Sequence, residues 1–175
     1  MKFFAIKFRH FTIALLLSAL LITPMMTQPA QAATGVNIPI TGTFTDALGG
    51  TGRFAGTFNL QRFAVQDNQL VAVGTLTGTL TDSVGAILGS IVNTITMLVT
   101  ASQGSCQILH LELGPLDLNL LGLVVHLNRV VLDITAQSGP GNLLGNLLCA
   151  VANLLNQGGA LTQIANLLNQ ILGQL

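Results

Sequence analysis

Apolar and polar residues alternate with a period of two along most of this 175-residue chain. The alternation extends from Val36 to Thr135, and after Gly139–Gly141 the repeat changes to that of a helix. Alternation is typical of strands with one buried face, because successive side chains point to opposite sides of a sheet. The chain is therefore predicted to be α+β. It should consist mainly of antiparallel β structure, a sandwich or barrel-like sheet built from hairpins, followed by two C-terminal amphipathic helices.

The early segments predict consecutive hairpins. Phe54, Phe58 and Leu60 share one parity, and turn-forming residues separate the segments at 46–52 ("DALGGTG") and 66–69 ("QDNQ"). The stretch that follows, "SVGAILGSIVNTITMLVTAS", is compatible with either a helix or a strand. Because its glycines disfavour a helix, we predict a loop followed by a strand at Ile91–Thr100.

Two long segments rich in Leu and Val come next. They are "CQILHLELGPLDLNLLG" and "LVVHLNRVVLDIT", and both alternate. The phase shifts at Gly114–Pro115 in the first segment and at Asn128–Arg129 in the second. A slip of one residue is what a β-bulge produces. The pattern therefore predicts a pair of long, bent strands.

The C-terminal part has helical spacing. Asn142 is placed to cap the first helix, Gly158–Gly159 ends it, and a second amphipathic segment occupies Ala160–Leu175. The polar faces of both helices carry Asn and Gln but no charge. Helices that face only water normally carry charges. We therefore expect Ala160–Leu175 to cover an apolar surface of its own sheet or of a partner subunit.

The N-terminus has the pattern of a secretory signal peptide. Lys2, Lys7 and Arg9 precede an uncharged apolar run at Phe11–Ile22, and small residues follow. The run is too short to span a bilayer, which takes about 20 residues. We predict a cleaved signal peptide at 1–32 and a secreted or extracytoplasmic protein that begins at Ala33 or Thr34. Residues 33–175 then form a single domain, with a β-rich part at 34–137 and a helical part at 141–175.

Composition excludes several kinds of partner. Residues 33–175 contain three arginines, no lysine and six carboxylates, a formal net charge of −3. Three separated arginines cannot form a phosphate-binding surface, so no nucleic-acid partner is expected. The chain contains no Trp or Tyr, which weakens the case for stacking on sugars or bases.

Cys106 and Cys149 are the only cysteines in the chain. An exported protein favours a disulfide between them over free thiols or a redox pair. Neither cysteine has a CxxC spacing or a cationic neighbour, so the bond is predicted to be structural and to join the sheet to the first helix.

The segments "LGPLDLNLLGL" and "GPGNLLGNLLC" resemble those of an uncharacterised family of small secreted bacterial proteins. The preceding "FAVQDNQLVAVGTLTGTLTD" is similar to the N-terminal half of that family. The resemblance implies a bacterial source and the same secreted architecture. It implies no activity.

Side chains that could carry chemistry are few. His110 and Glu112 share a strand face, and His126 is positioned to approach them from a neighbouring strand. Two His and a carboxylate can ligate zinc, but the favoured interpretation is a row of solvent-facing polar residues. The serines lack a GxSxG context. We therefore predict a non-enzymatic protein without catalytic, metal-binding or cofactor-binding residues.

High aliphatic content with little charge favours two kinds of function. The first is a module that binds an apolar small molecule or an envelope lipid. The alternative is a structural or surface-associating protein that acts by self-assembly as a homo-oligomer. No transmembrane span is predicted in the mature chain.

Overall fold

The structure is a computed structural model that describes residues 35–175. The predicted signal peptide and its cleavage site lie outside the described residues. Eight strands precede two helices, which confirms the predicted α+β class. The strands are β1 (Val36–Thr45), β2 (Thr51–Gln66), β3 (Gln69–Thr81), β4 (Ile87–Gly104), β5 (Ile108–Leu113), β6 (Leu116–Leu120), β7 (Leu123–Leu127) and β8 (Val130–Thr135), and the helices are α1 (Leu143–Asn156) and α2 (Leu161–Leu172).

The strands form one antiparallel sheet that curls into a half-barrel. Its order is β6-β7-β1-β2-β3-β4-β5-β8, so the first four strands are the consecutive hairpins that the turns predicted. Strand β4 is longer than the predicted Ile91–Thr100. Its pairing with β3 begins at Ile87, and its pairing with β5 continues to Gly104.

The two long C-terminal segments are not continuous strands, and that prediction is wrong. The first divides into β5 and β6 at Gly114–Pro115, and the second into β7 and β8 at Asn128–Arg129. Strands β5 and β8 pair with each other beside β4, whereas β6 and β7 pair beside β1. Together the two segments form one ribbon. Its β5–β8 half and its β6–β7 half lie at opposite edges of the sheet. Proline has no N–H to donate to a ladder, which explains the division at Pro115.

The core lies on one face of the sheet and follows the predicted parity. Phe54, Phe58 and Leu60 are buried. The register of β2 against β3 then shifts between Leu60 and Arg62, and this bulge brings Phe63 to the same buried face. Glycine is required nearby, because a Cβ on Gly56 would lie 2.8 Å from the Phe54 ring.

Both helices share this core. Helix α1 packs on β4 and β5, and α2 packs on β2, on β3 and on α1. The apolar face of α2 therefore covers the sheet of its own chain. Asn142 stands at the N-cap of α1 without a side-chain capping bond. Instead, the Asn146 amide accepts from the N–H of Gly139 and donates to its carbonyl.

The disulfide joins Cys106, in the turn between β4 and β5, to Cys149 on α1. It links sheet to helix as the sequence predicted. Among residues 35–175, no helix has both the length and the apolar character to cross a bilayer.

Candidate functional site

A row of polar and charged side chains crosses the β5–β8 strand pair. His110 faces Asp133 across the ladder, with Nδ1 2.6 Å from Oδ1. Its Nε2 lies 3.6 Å from Oε1 of Glu112, and Arg129 Nη1 donates to Oε2 of Glu112 at 3.0 Å. The hydrogen bond to Asp133 is the main reason that the pKa of His110 is raised above its ordinary value, and Glu112 adds to the effect.

His126 belongs to a different strand pair, the β6–β7 hairpin. Its Nδ1 lies 2.5 Å from Oδ1 of Asp117, across the β6–β7 ladder. The structure therefore keeps His110 and Glu112 together but gives His126 a carboxylate partner of its own, because the ribbon divides at Asn128–Arg129. Within the part of the chain that the structure describes, no group of three His, Cys, Asp or Glu side chains is arranged to hold a metal ion.

Asp46 is the one buried charged side chain among residues 35–175. Its Oδ1 accepts from the N–H groups of Leu48 and Gly50 at 3.0 and 2.8 Å, and its Oδ2 accepts from the N–H of Ser83 at 2.9 Å. The Ser83 side chain and then the Ser83 N–H lower the pKa of Asp46 to about 2. The carboxylate joins the β1–β2 turn to the β3–β4 turn, and its oxygens are occupied by loop donors.

The curled sheet does not close between β1 and β8. Strand β1 pairs with β7 at Gly42, Thr43 and Phe44, and the contact ends where the N–H of Asn128 donates to the Thr41 carbonyl at 2.9 Å. Beyond this point β8 diverges to pair with β5. Since backbone groups alternate between the two edges of a strand, Pro39 faces the same edge as Thr41.

Pro39 has no N–H to donate to a neighbouring strand. Proline in a sheet is normally found at such an unpaired strand edge. On the other side, Ala136 donates its N–H to the Gln107 carbonyl beside β5. The backbone groups of Val131, Asp133 and Thr135 therefore point away from β5. We call the gap between residues 35–39, at the start of β1, and residues 131–135 of β8 the seam.

The seam holds an open groove of about 550 Å³. The groove has an aliphatic lining from Val36, Leu132, Ile134 and the C-terminal Leu175, and a polar margin from Asn37 and Asp133. Its size lies within the range of about 300–1,000 Å³ typical of small-molecule sites. We call it the seam groove.

Other grooves among the described residues differ from the seam groove in lining or in size. One of about 630 Å³ is larger, but Gln107, Thr135, Gln137 and Ser138 make its lining polar. Another, of about 390 Å³, lies where α2 meets β3 and β4. Its lining is also largely aliphatic, with Leu70, Leu155 and Ile164 among its residues, but it is smaller than the seam groove. The seam groove is the candidate site because its lining is less polar than that of the 630 Å³ groove and its volume exceeds that of the 390 Å³ groove.

Comparison of the chain with family models, with curated proteins and with solved structures finds no match. The resemblance described above therefore rests on the quoted segments alone.

Two structurally important features escaped the sequence prediction. Asn169 of α2 donates to the carbonyl of Phe63 at 2.9 Å and accepts from its N–H at 2.7 Å. Nothing distinguishes this asparagine from the other Asn residues of the helices. The seam had one available signal, Pro39 within an otherwise regular strand, because proline indicates an unpaired strand edge.

Proposed function

We propose that the protein is an exported, non-enzymatic module that binds an aliphatic small molecule or the acyl chain of an envelope lipid in the seam groove. The observation that carries the proposal is the groove itself, which has an aliphatic lining between two sheet edges that do not pair. An aliphatic lining without aromatic rings fits a flexible hydrocarbon chain better than a sugar or a base.

The polar margin supports the choice of an amphipathic ligand. Asp133 lies at the groove and is hydrogen-bonded to His110. The backbone groups of Val131 and Thr135 on the free edge of β8 provide donors and acceptors beside the apolar surface. A few placed polar groups around an apolar lining are what orient a small ligand in a binding site.

The test uses the mature protein, residues 33–175, with parinaric acid as an aliphatic fluorescent probe. Leu175→Asn should weaken probe binding by roughly tenfold, because it removes a leucine side chain from the groove. Leu143→Asn is the matched control, since Leu143 and Leu175 are 55% and 58% exposed and Leu143 lies outside the seam groove. Equal binding by the two variants, or no binding by the unmodified protein, would overturn the proposal.

Self-assembly is the alternative, and the free edge of β8 is the feature that favours it. An unpaired strand can add a strand from a second copy. Sedimentation of the same variants separates the two functions. A concentration-dependent oligomer that dissociates on Leu175→Asn, in a protein that never binds the probe, would favour assembly.

A further inference from the structure

Three turns gather at one end of the half-barrel, far from the seam groove. They lie between β1 and β2, between β3 and β4, and between β6 and β7. Asp46 joins the first turn to the second through the N–H of Ser83. The third turn reaches β4, where Leu121 Cδ1 lies 3.1 Å from the place that a Cβ on Gly89 would occupy.

Each of these turns presents a large apolar side chain to solvent. Leu48, Val84 and Leu121 are 78%, 75% and 68% exposed, and Ile87 at the start of β4 is 72% exposed. We call these four side chains the apolar end. The β2–β3 turn at the opposite end of the sheet consists of Asp67 and Asn68 instead. Exposed apolar side chains grouped at one place normally mark a contact surface.

Leu121 is not explained by the needs of its turn. It has a φ of 54°, and Gly122 after it has a φ of 84°. The β2–β3 turn also has two positive φ values, 48° and 59°, and fills both positions with Asp and Asn. Asp and Asn tolerate this conformation well, whereas leucine adopts it rarely. The backbone conformation of this turn favours Asp, Asn or Gly at position 121, so it does not account for the leucine side chain.

The turns satisfy their own backbone donors. Asp46 accepts from the N–H groups of Leu48 and Gly50, and Asp82 accepts in the same way from Val84 and Ala86. In the third turn, Asn119 accepts from the N–H of Gly122. Placing unpaired N–H groups in hydrocarbon is expensive, because lipid tails offer no hydrogen-bond partners. The five N–H groups named above already have acceptors within their turns, so their placement in hydrocarbon would not carry this cost.

The turns also carry no positive charge. Residues 46–50, 82–86 and 121–122 contain no Lys or Arg. Attraction to anionic headgroups depends on such charges. The nearest cation is Arg53 on β2, which pairs with Thr81, and the turns themselves carry the carboxylates of Asp46 and Asp82. Attachment to lipid at this end should therefore come mainly from apolar burial.

We infer that the apolar end docks on a lipid surface by inserting Leu48, Val84, Ile87 and Leu121 at the level of the acyl chains. The exposed apolar tips, the leucine in a strained turn and the internally satisfied loop donors all point to a partner that supplies hydrocarbon and no hydrogen bonds. The inference goes beyond the seam groove, since the two sites lie toward opposite ends of β1 and use different residues.

Vesicles of phosphatidylcholine test the inference with the mature protein. We expect the protein to co-sediment with them at both low and high salt. The triple variant Leu48→Asn, Val84→Asn, Leu121→Asn should partition at least about tenfold less, because three apolar side chains no longer insert. Its thermal midpoint should be retained, since asparagine suits the left-handed backbone at position 121.

Val92→Thr is the control for general surface hydrophobicity. Val92 is 78% exposed on β4 but lies outside the three turns, so this variant should partition as the unmodified protein does. Equal partitioning by the triple variant and the unmodified protein would overturn the inference.

A spectroscopic readout locates the contact independently. The chain has no Trp or Tyr, so Leu48→Trp introduces a single fluorophore without background. Its emission should shift to shorter wavelength on addition of vesicles, whereas that of Val92→Trp should not move. Unshifted emission from Leu48→Trp, or a dimer in solution that the triple variant abolishes without any vesicle binding, would reject a lipid surface as the partner.

Discussion

At the scale of single residues, the two histidines among the described residues have separate carboxylate partners. His110 and His126 each face an aspartate across a ladder, but in different strand pairs. The pKa of His110 is raised chiefly by Asp133. A raised pKa in the folded state means that the interaction stabilises the fold below the ordinary pKa of about 6.5. That contribution is lost as the pH rises through the raised value.

Replacing Asp133 tests this interaction. Asp133→Asn should move the pKa of His110 back toward its ordinary value, because the largest cause of the shift is removed. A proton NMR titration of the His110 ring measures the effect directly. Asp117→Asn, the matching change beside His126, should leave the pKa of His110 in place. An equal response to both variants would contradict the separation of the two strand pairs.

At the scale of elements, the polar face of α2 has a role that its pattern does not reveal. Asn166 and Asn169 stand one turn apart on the same helix. Only Asn169 bonds the backbone of Phe63, at the part of β2 that extends beyond its pairing with β1. Its amide takes the place of a neighbouring strand there. Helical spacing identified the buried face of α2, but the edge that it would meet depended on where β1 ends.

Asn169→Leu should lower the free energy of unfolding by about 1–3 kcal/mol, because the N–H and carbonyl of Phe63 lose their partners in a partly buried place. Urea denaturation measures this change. Asn166→Leu is the control, because Asn166 is exposed and exposed substitutions usually change stability by less than about 0.5 kcal/mol. Similar losses in both variants would show that the amide bonds to Phe63 contribute little.

At the scale of the whole molecule, the disulfide is the covalent link between the sheet and the helices. It closes a sequence separation of 43 residues between Cys106 and Cys149. Cross-links of this kind act largely by restricting the unfolded chain. Cys149→Ser should therefore lower the free energy of unfolding by about 2–5 kcal/mol.

Cys106→Ser should have the same effect as Cys149→Ser, and the double variant should add nothing further, since a single bond is lost in each case. Denaturation of the unmodified protein in a reducing agent should reproduce the loss. A reducing agent that destabilises the variants as well would mean that the effect comes from something other than this bond.

The sequence alone determined the features that depend on local periodicity. Period-two alternation identified the strands and their buried parity, as Phe54 and Phe58 show, because a side chain's face depends only on its position along the strand. The change to helical spacing after Gly139–Gly141 identified α1 and α2, and two cysteines in a chain predicted to be exported indicated their bond. These properties are encoded within segments of about 10 to 15 residues.

The tertiary structure alone decided which segments became neighbours. Alternation is the same on both sides of Gly114–Pro115 and of Asn128–Arg129, yet β5 and β8 joined one edge of the sheet and β6 and β7 the other. This pairing separates His126 from His110 and leaves the seam unpaired. It also brings the three turns of the apolar end together. It rests on hydrogen bonds between strands distant in sequence, such as Asn128 to Thr41. A repeat within one strand carries no information about such partners.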